Sequence, residues 1–402
     1  MKSIVVVLAG AADHPTEELG GKTPLEAAKV PNLNFFAKSG KVGTAKLVSD
    51  RLPLSPDVSL FNILGYDASK LYTGRGPLEA ANLELTLDDK EVAFCMNFIT
   101  EAAGILADPT AGTITTKEAK ALINFLNKKV ASDFVRFFPG SGHRHIAILK
   151  DAHGYEALSA KTQPPDNVTG EKIEDCLPKG PGDELMRKLM YDAKLLLQDH
   201  EINQVRVDLG ENPANMIWLW GQGRKPVLKT LRENFDLAGA GGAMVAVREF
   251  AKGLGRLAGL TVMEVKEQGE EPAVFYDRIS KIAVDALEEK DFVCLYLHTP
   301  DEAARAGDVK GKIGAIEGID FFVLSKIRKY MERVKESRLL ITPGHATLWK
   351  MKGIVRDAVP FAVVGKNIMA DEIERFSEVA AKTSELKFVK STELMPFFIS
   401  KT

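Results

Sequence analysis

Between Met216 and Val364 short apolar runs alternate with amphipathic stretches, and no other feature restricts the fold as much. Met216–Trp220, Leu260–Val265, Phe292–His298, Leu339–Thr342 and Pro360–Val364 read as strands. Ala243–Ala258, Tyr276–Leu287 and Gly311–Lys335 read as the helices between them. The N-terminal run Ile4–Leu8 is continuous and largely β-branched, the pattern of a strand buried on both faces. Strand–helix alternation requires crossover connections and therefore parallel pairing. The predicted fold class is α/β, a mostly parallel sheet sandwiched by helices. In such sheets chemistry sits beyond the C-terminal ends of the strands. That directs attention to Ala9–Gly10, His298–Asp308 and Thr342–Thr347.

The first half is organised differently. Leu33, Phe36 and Ala37 lie at helical spacing after Pro31, and Asp57–Leu64 reads as a helix stopped by Gly65. Val92–Phe98 and His145–Leu149 read as strands around a helix at Thr116–Lys129. Pro- and Gly-rich loop material fills Lys161–Gly182 before the amphipathic helix Glu184–His200, which places a domain crossing at or soon after this region. A chain of 402 residues is long enough for two or three domains.

Lys plus Arg number 53 and Asp plus Glu 55, a net charge of -2, which argues against a nucleic-acid partner. Cys95, Cys176 and Cys294 form no C-x-x-C pair, against a disulfide framework or a cysteine zinc site. No apolar run approaches the roughly eighteen residues of a membrane span, and the N-terminus lacks the long apolar core of a signal peptide. The expected location is cytoplasmic, with no membrane partner.

Several blocks run in order along nearly the whole chain: Leu19–Ala28 (LGGKTPLEAA), Val30–Leu33, Ile63–Asp67 (ILGYD) and Tyr72–Ala80 (YTGRGPLEA). Asn212–Asn215, Trp218–Gly221, Ala246–Arg248, Pro300–Ala303, Ala315–Asp320 and Glu393–Pro396 follow. Together they resemble the archaeal-type 2,3-bisphosphoglycerate-independent phosphoglycerate mutases of the alkaline phosphatase superfamily. The resemblance implies a phosphatase-like core, residues 1–82 plus 200–402, split by a smaller inserted α+β cap, residues 83–199. It implies interconversion of 3- and 2-phosphoglycerate in glycolysis, an isomerase reaction. It also implies a Mn, Mg or Zn pair flanking a serine that carries the phosphoryl group.

Carried over residue by residue, that site does not match. The first strand of the family ends in a metal-binding Asp, and here Ala9 stands there. Pro56 occupies the nucleophile position, with Ser55 before it and Asp57 after. Arg305 replaces a ligand His four residues after Asp301, and a guanidinium cannot ligate a cation. Gly344 replaces an Asp before His345, and Ile354 aligns with the last family His. Asp301 and His345 are the only remnants, so no metal site and no catalytic nucleophile is assigned, and no cofactor is expected unless the family site functions after all. The chain thus reads as a non-catalytic or altered paralogue, with an active mutase or a related metal-dependent phosphotransfer enzyme using a rearranged site as the alternative.

Each remnant also has an ordinary reading. Asp301 and Arg305 are spaced to pair on one helical turn, and His345 suits a hydrogen-bonded structural role. Arg75, His143 and Arg144 are the candidate substrate-binding residues, since a phosphate ester needs cationic donors. Bracing the crossing into the cap is an equal reading for Arg75, and a solvated turn is one for the His-Arg pair. Cys95 and Thr113 stand where the family has arginines, which weakens phosphate recognition. The glycine-rich Ala238–Ala243 sets up a following helix rather than a dinucleotide fingerprint. The expected partners are a small phosphorylated metabolite or anion, or an active paralogue.

Overall fold

The computed structural model describes residues 1–150, 156–235, 241–265 and 269–400. The chain divides into two compact units. One comprises Met1–Tyr72 together with the chain from Leu228 onward, and the other comprises Thr73–Val227.

The first unit is built on an eight-stranded sheet. Its order is Thr261–Glu264, Gly242–Ala246, Phe292–Leu297, Lys2–Leu8, Ser337–Thr342, Val359–Gly365, Gly40–Ala45, Lys387–Phe388. The pairings are parallel except those of Val359–Gly365, which runs antiparallel to both neighbours. Residues of Lys2–Leu8 from Ile4 onward are fully buried, as a strand covered on both faces requires. On one side Phe275, Ile279, Ala283 and Leu287 of helix Pro272–Glu289 form the stripe that seals against the sheet, beside Leu33 and Phe36 of helix Pro31–Lys38. A small second sheet joins Gly10–Ala12, Ala346–Leu348 and Gly353–Val355.

The second unit carries a five-stranded antiparallel sheet. Its centre is the long strand Glu91–Ala102, and helices Thr116–Lys129 and Asp183–Leu197 supply Leu122, Leu126, Met186 and Leu189 to its core. Helix Thr116–Lys129 starts at a reciprocal cap, Thr115 with Glu118.

Four expectations are corrected. Residues 73–82 and 200–227 belong with the second unit, outside the expected 83–199, because Met216–Gly223 pairs with Glu91–Ala102 and helix Gly76–Asn82 follows Thr73 into the same unit. For the same reason Met216–Trp220 is not part of the parallel sheet. Gly242–Ala246 is a strand rather than the start of a helix, which begins only at Glu249. The long helix expected at Gly311–Lys335 starts at Val309 and contains a π-type stretch, Ile319–Leu324. Residues 238–240 of the glycine-rich segment lie outside the described residues.

Candidate functional site

Parallel register brings three strand ends together. Leu8 lies beside Leu297, and Val7 beside Thr342. The Ala9 amide donates to Leu297 O (2.8 Å) and the Gly10 amide to Pro343 O (3.1 Å). The segments opening at Ala9, His298 and Pro343 therefore converge at one end of the sheet, as the topology predicts. Gly10 has φ +70°, and a Cβ there would lie 2.7 Å from Asp301 Cα and 2.8 Å from Thr347 Oγ1. Only glycine permits this approach.

Asp301, in the first turn of helix Thr299–Ala306, is buried. Its carboxylate accepts from Arg305 Nε (2.9 Å) and from Thr347 Oγ1 (2.5 Å), and His345 Nδ1 stands 3.9 Å away. Burial opposes its ionisation, but His345, Arg305 and Thr347 outweigh that and hold the carboxyl below the usual range. His345 is fully buried, with Nδ1 3.0 Å from Thr347 Oγ1 and no hydrogen-bond partner at Nε2. Burial pushes its pKa down to about 4, against the pull of Asp301.

Asp13, beyond the small-sheet strand Gly10–Ala12, does not face solvent. Its Oδ2 meets Lys312 Nζ at 2.6 Å, and Oδ1 accepts from the His14 amide. Lys312 is wholly buried and also donates to Thr347 O (2.8 Å) and Ala12 O (3.1 Å). Burial lowers its pKa, with Asp13 opposing. Glu378 accepts from the Asp13 amide and from Thr23 Oγ1, and burial raises its pKa.

Pro56 is the first residue of helix Pro56–Ile63, a place that suits its fixed φ and missing N–H. Ser55 Oγ donates to Asp57, whose other oxygen accepts from Tyr72 OH (2.5 Å). Gly344 is left-handed at φ +73°, hemmed by Ile63, Val7 and Ser59. Ile354 pairs with Thr347 in the small sheet.

In the second unit, Arg75 precedes helix Gly76–Asn82, pairs with Glu79 (2.7 Å) and lies 5.2 Å from the Trp220 ring centroid. Trp220 Nε1 donates to Asn97 Oδ1 (3.0 Å), and Asn97 is directly opposite Arg144. Arg75 thus lies over the Trp220 ring, and Arg144 occupies the register position opposite Trp220's partner Asn97. His143 turns the chain, its carbonyl accepting from the Phe98 amide.

Among the described residues no group of three or more His, Cys, Asp or Glu side chains is placed to hold a metal ion. Of the family's ligand positions, Ala9 and Gly344 offer no donor atom, and Arg305 occupies one face of Asp301. These residues do not fit a pair of divalent metals.

Lys312, Thr347, Glu378 and Tyr72 were not singled out from sequence. The one available clue was Lys312, which shares its helix face with buried Ile316 four residues on.

Residues 37–203 match the family model described as 2,3-bisphosphoglycerate-independent phosphoglycerate mutase. Proteins bearing that name from Methanothrix thermoacetophila and Methanosarcina barkeri are 37% and 36% identical over 401 residues. The alignments cover 100% of both chains in the first case and 99% of both in the second. A solved protein from Pyrococcus horikoshii superposes with a TM-score of 0.79 at 24% identity, covering 100% of this chain and 98% of that one, and shows the same fold. The cofactor-independent phosphoglycerate mutase of Thermoplasma acidophilum superposes with a TM-score of 0.62 at 26% identity, covering 99% of each chain. No helix among the described residues is long and apolar enough to cross a membrane.

Proposed function

The chain belongs to the 2,3-bisphosphoglycerate-independent phosphoglycerate mutase family, and from that premise we propose that it is a non-catalytic or catalytically altered member. One observation carries the reading. The one carboxylate left at the family's ligand positions, Asp301, is already matched by a protein cation, Arg305. Pro56 at the nucleophile position supports it, because proline has no group to receive a phosphoryl. On this reading the di-metal site and the serine were given up while the sheet was retained. The protein works in the cytoplasm without a metal cofactor. It binds a small phosphorylated metabolite or anion through Arg75, His143 and Arg144, or it serves an active paralogue.

The test is metal content of the native protein by plasma mass spectrometry, beside a coupled mutase assay with added manganese. No stoichiometric metal and no turnover are expected. About two metals per chain with turnover, the requirement of a two-metal mechanism, would sink the proposal. Restoring Ala9→Asp alone is expected to recover no activity, because a lone buried carboxylate is costly and the remaining donors are still missing.

A second reading, an active phosphotransfer enzyme with a rearranged site, has one observation in its favour. Ser55 Oγ donates to Asp57, so a hydroxyl and a carboxylate are already paired. It requires Ser55 or another group to become phosphorylated under turnover, and intact-protein mass spectrometry that finds no phospho-enzyme would count against it.

A further inference from the structure

Two glycines one turn apart on helix Val309–Gly318 have opposite surroundings. A Cβ at Gly318 would lie 2.6 Å from Tyr276 Cε2, so helix and tyrosine ring touch there and glycine is needed. A Cβ at Gly314 would meet nothing within 4 Å. Glycine weakens a helix at such a position, and no close approach requires it. Helix Val309–Gly318 thus meets Tyr276 of helix Pro272–Glu289 at Gly318 and leaves open space one turn toward its N-terminus.

That space is a cavity of about 660 Å³, within the range of small-molecule sites. Phe275 and Tyr276 line it with rings. Gly311, Gly314 and Ala315, spaced to share one helix face, line it with almost no side chain. Rings on one helix and nearly bare backbone on the other suit a planar molecule. Glu270 is the one charged residue lining the cavity among the described residues, and Arg278 matches it through Nη2 and through Nε (3.3 Å). The walls therefore carry no net charge to attract an ion.

The remaining polar feature is a pair of hydroxyls. Tyr276 OH and Thr299 Oγ1 stand 2.7 Å apart, and neither has another hydrogen-bond partner among the described residues. Two hydroxyls hold two protons, and the bond between them uses one. One O–H is left to donate to whatever enters.

We propose that this cavity binds a neutral, planar aromatic molecule with one hydrogen-bond acceptor, held by the Tyr276–Thr299 pair. The site shares no residue with Arg75, His143 and Arg144, and it goes beyond the function proposed above.

Ligand-observed NMR titrations of the full-length protein with 2-naphthol and with naphthalene test it. Saturable binding of both is expected, with 2-naphthol about tenfold tighter, the advantage of one added hydrogen bond. The double variant Tyr276→Phe with Thr299→Val removes both hydroxyls together and orphans neither, so the chain is expected to fold and the two probes to bind alike. Gly314→Leu places a side chain in the open space and is expected to remove binding of both probes. Its Tm is expected at or above that of the unsubstituted protein, because leucine is the better helix former. If this variant melts lower instead, the paired probes on the double variant decide. No saturable binding of 2-naphthol up to about 1 mM, the weak end of specific affinity, overturns the proposal. So does a naphthol preference that survives the double variant, or binding indifferent to a folded Gly314→Leu. None of these outcomes depends on metal content or mutase turnover, so the proposed function stands or falls separately.

Discussion

Arg206 of the second unit and Lys312 of the first are both withdrawn from water, and the two are used differently. Arg206 of the second unit is buried, and it ties loop ends together. Nε donates to Asn212 O, Nη2 to Ala111 O and Gly112 O, and Nη1 to Glu118, all at 3.0 Å. Its carboxylates remain partly wet, since the Glu118 and Glu211 side chains are 28% and 51% exposed. Lys312 of the first unit meets Asp13, whose side chain is 2% exposed. Glu118 and Glu211 would be solvated without their arginine. Asp13 would not be solvated without its lysine. Arg206 is therefore a tie and Lys312 a counter-ion, and only the second arrangement makes one charge a condition for burying another.

Paired substitutions break or sharpen that contrast. Lys312→Met should cost about 3–5 kcal/mol, the penalty for breaking a buried pair from one side. Arg206→Met should cost less, about 2 kcal/mol, because orphaned loop carbonyls are the main loss and its acids turn to water. Urea melts of both variants give the comparison, and equal costs would erase the distinction.

The next effect depends on pH. His145 is buried against Phe98, its Nδ1 accepts from the Gly140 amide, and burial pushes its pKa down to about 3. Its folded-state value lies below the unfolded one of about 6.5, so its contribution is intact above pH 6.5 and is lost as pH falls toward 3. The expected slope is about 1.4 kcal/mol per pH unit, close to 2 kcal/mol lost by pH 5. His345, pushed to about 4, acts in the same direction over a narrower window. His145→Phe should flatten the acid limb of a stability–pH series by about half, leaving the His345 share. An unchanged limb would place the acid sensitivity elsewhere. The smallest effect belongs to Arg305→Gln. The arginine side chain is 36% exposed, so about 1 kcal/mol is expected.

Much of the fold was legible because parallel strands buried on both faces are written as apolar runs. Ile4–Leu8, Phe292–Leu297 and Leu339–Thr342 read directly as the strands that meet at the site. Gly242–Ala246 was misread because Gly and Ala in a strand next to helical sequence carry little β-type preference, and its place between two other strands decides its conformation. Met216–Gly223 was assigned to the wrong sheet because a strand's sequence does not say which neighbour it pairs with. At the site, Asp301–Arg305 was readable because four residues on a helix bring the groups together. Asp13–Lys312 was not, because its partners lie 299 residues apart and meet only through the converging strand ends.

Gly344 bears on whether this history can be reversed. With φ at +73° and Ile63 and Val7 3.2 Å from where a Cβ would stand, the position favours glycine and, among other residues, the Asn and Asp that visit the left-handed region. On the reading proposed above, each ligand missing elsewhere is one substitution away from the residue the family has there. Here a returning aspartate tolerates the left-handed backbone but must also press Val7 and Ile63 aside by a few tenths of an ångström. Reconstruction can therefore keep this turn, because the aspartate that the resemblance implies for it is one of the few residues its backbone accepts.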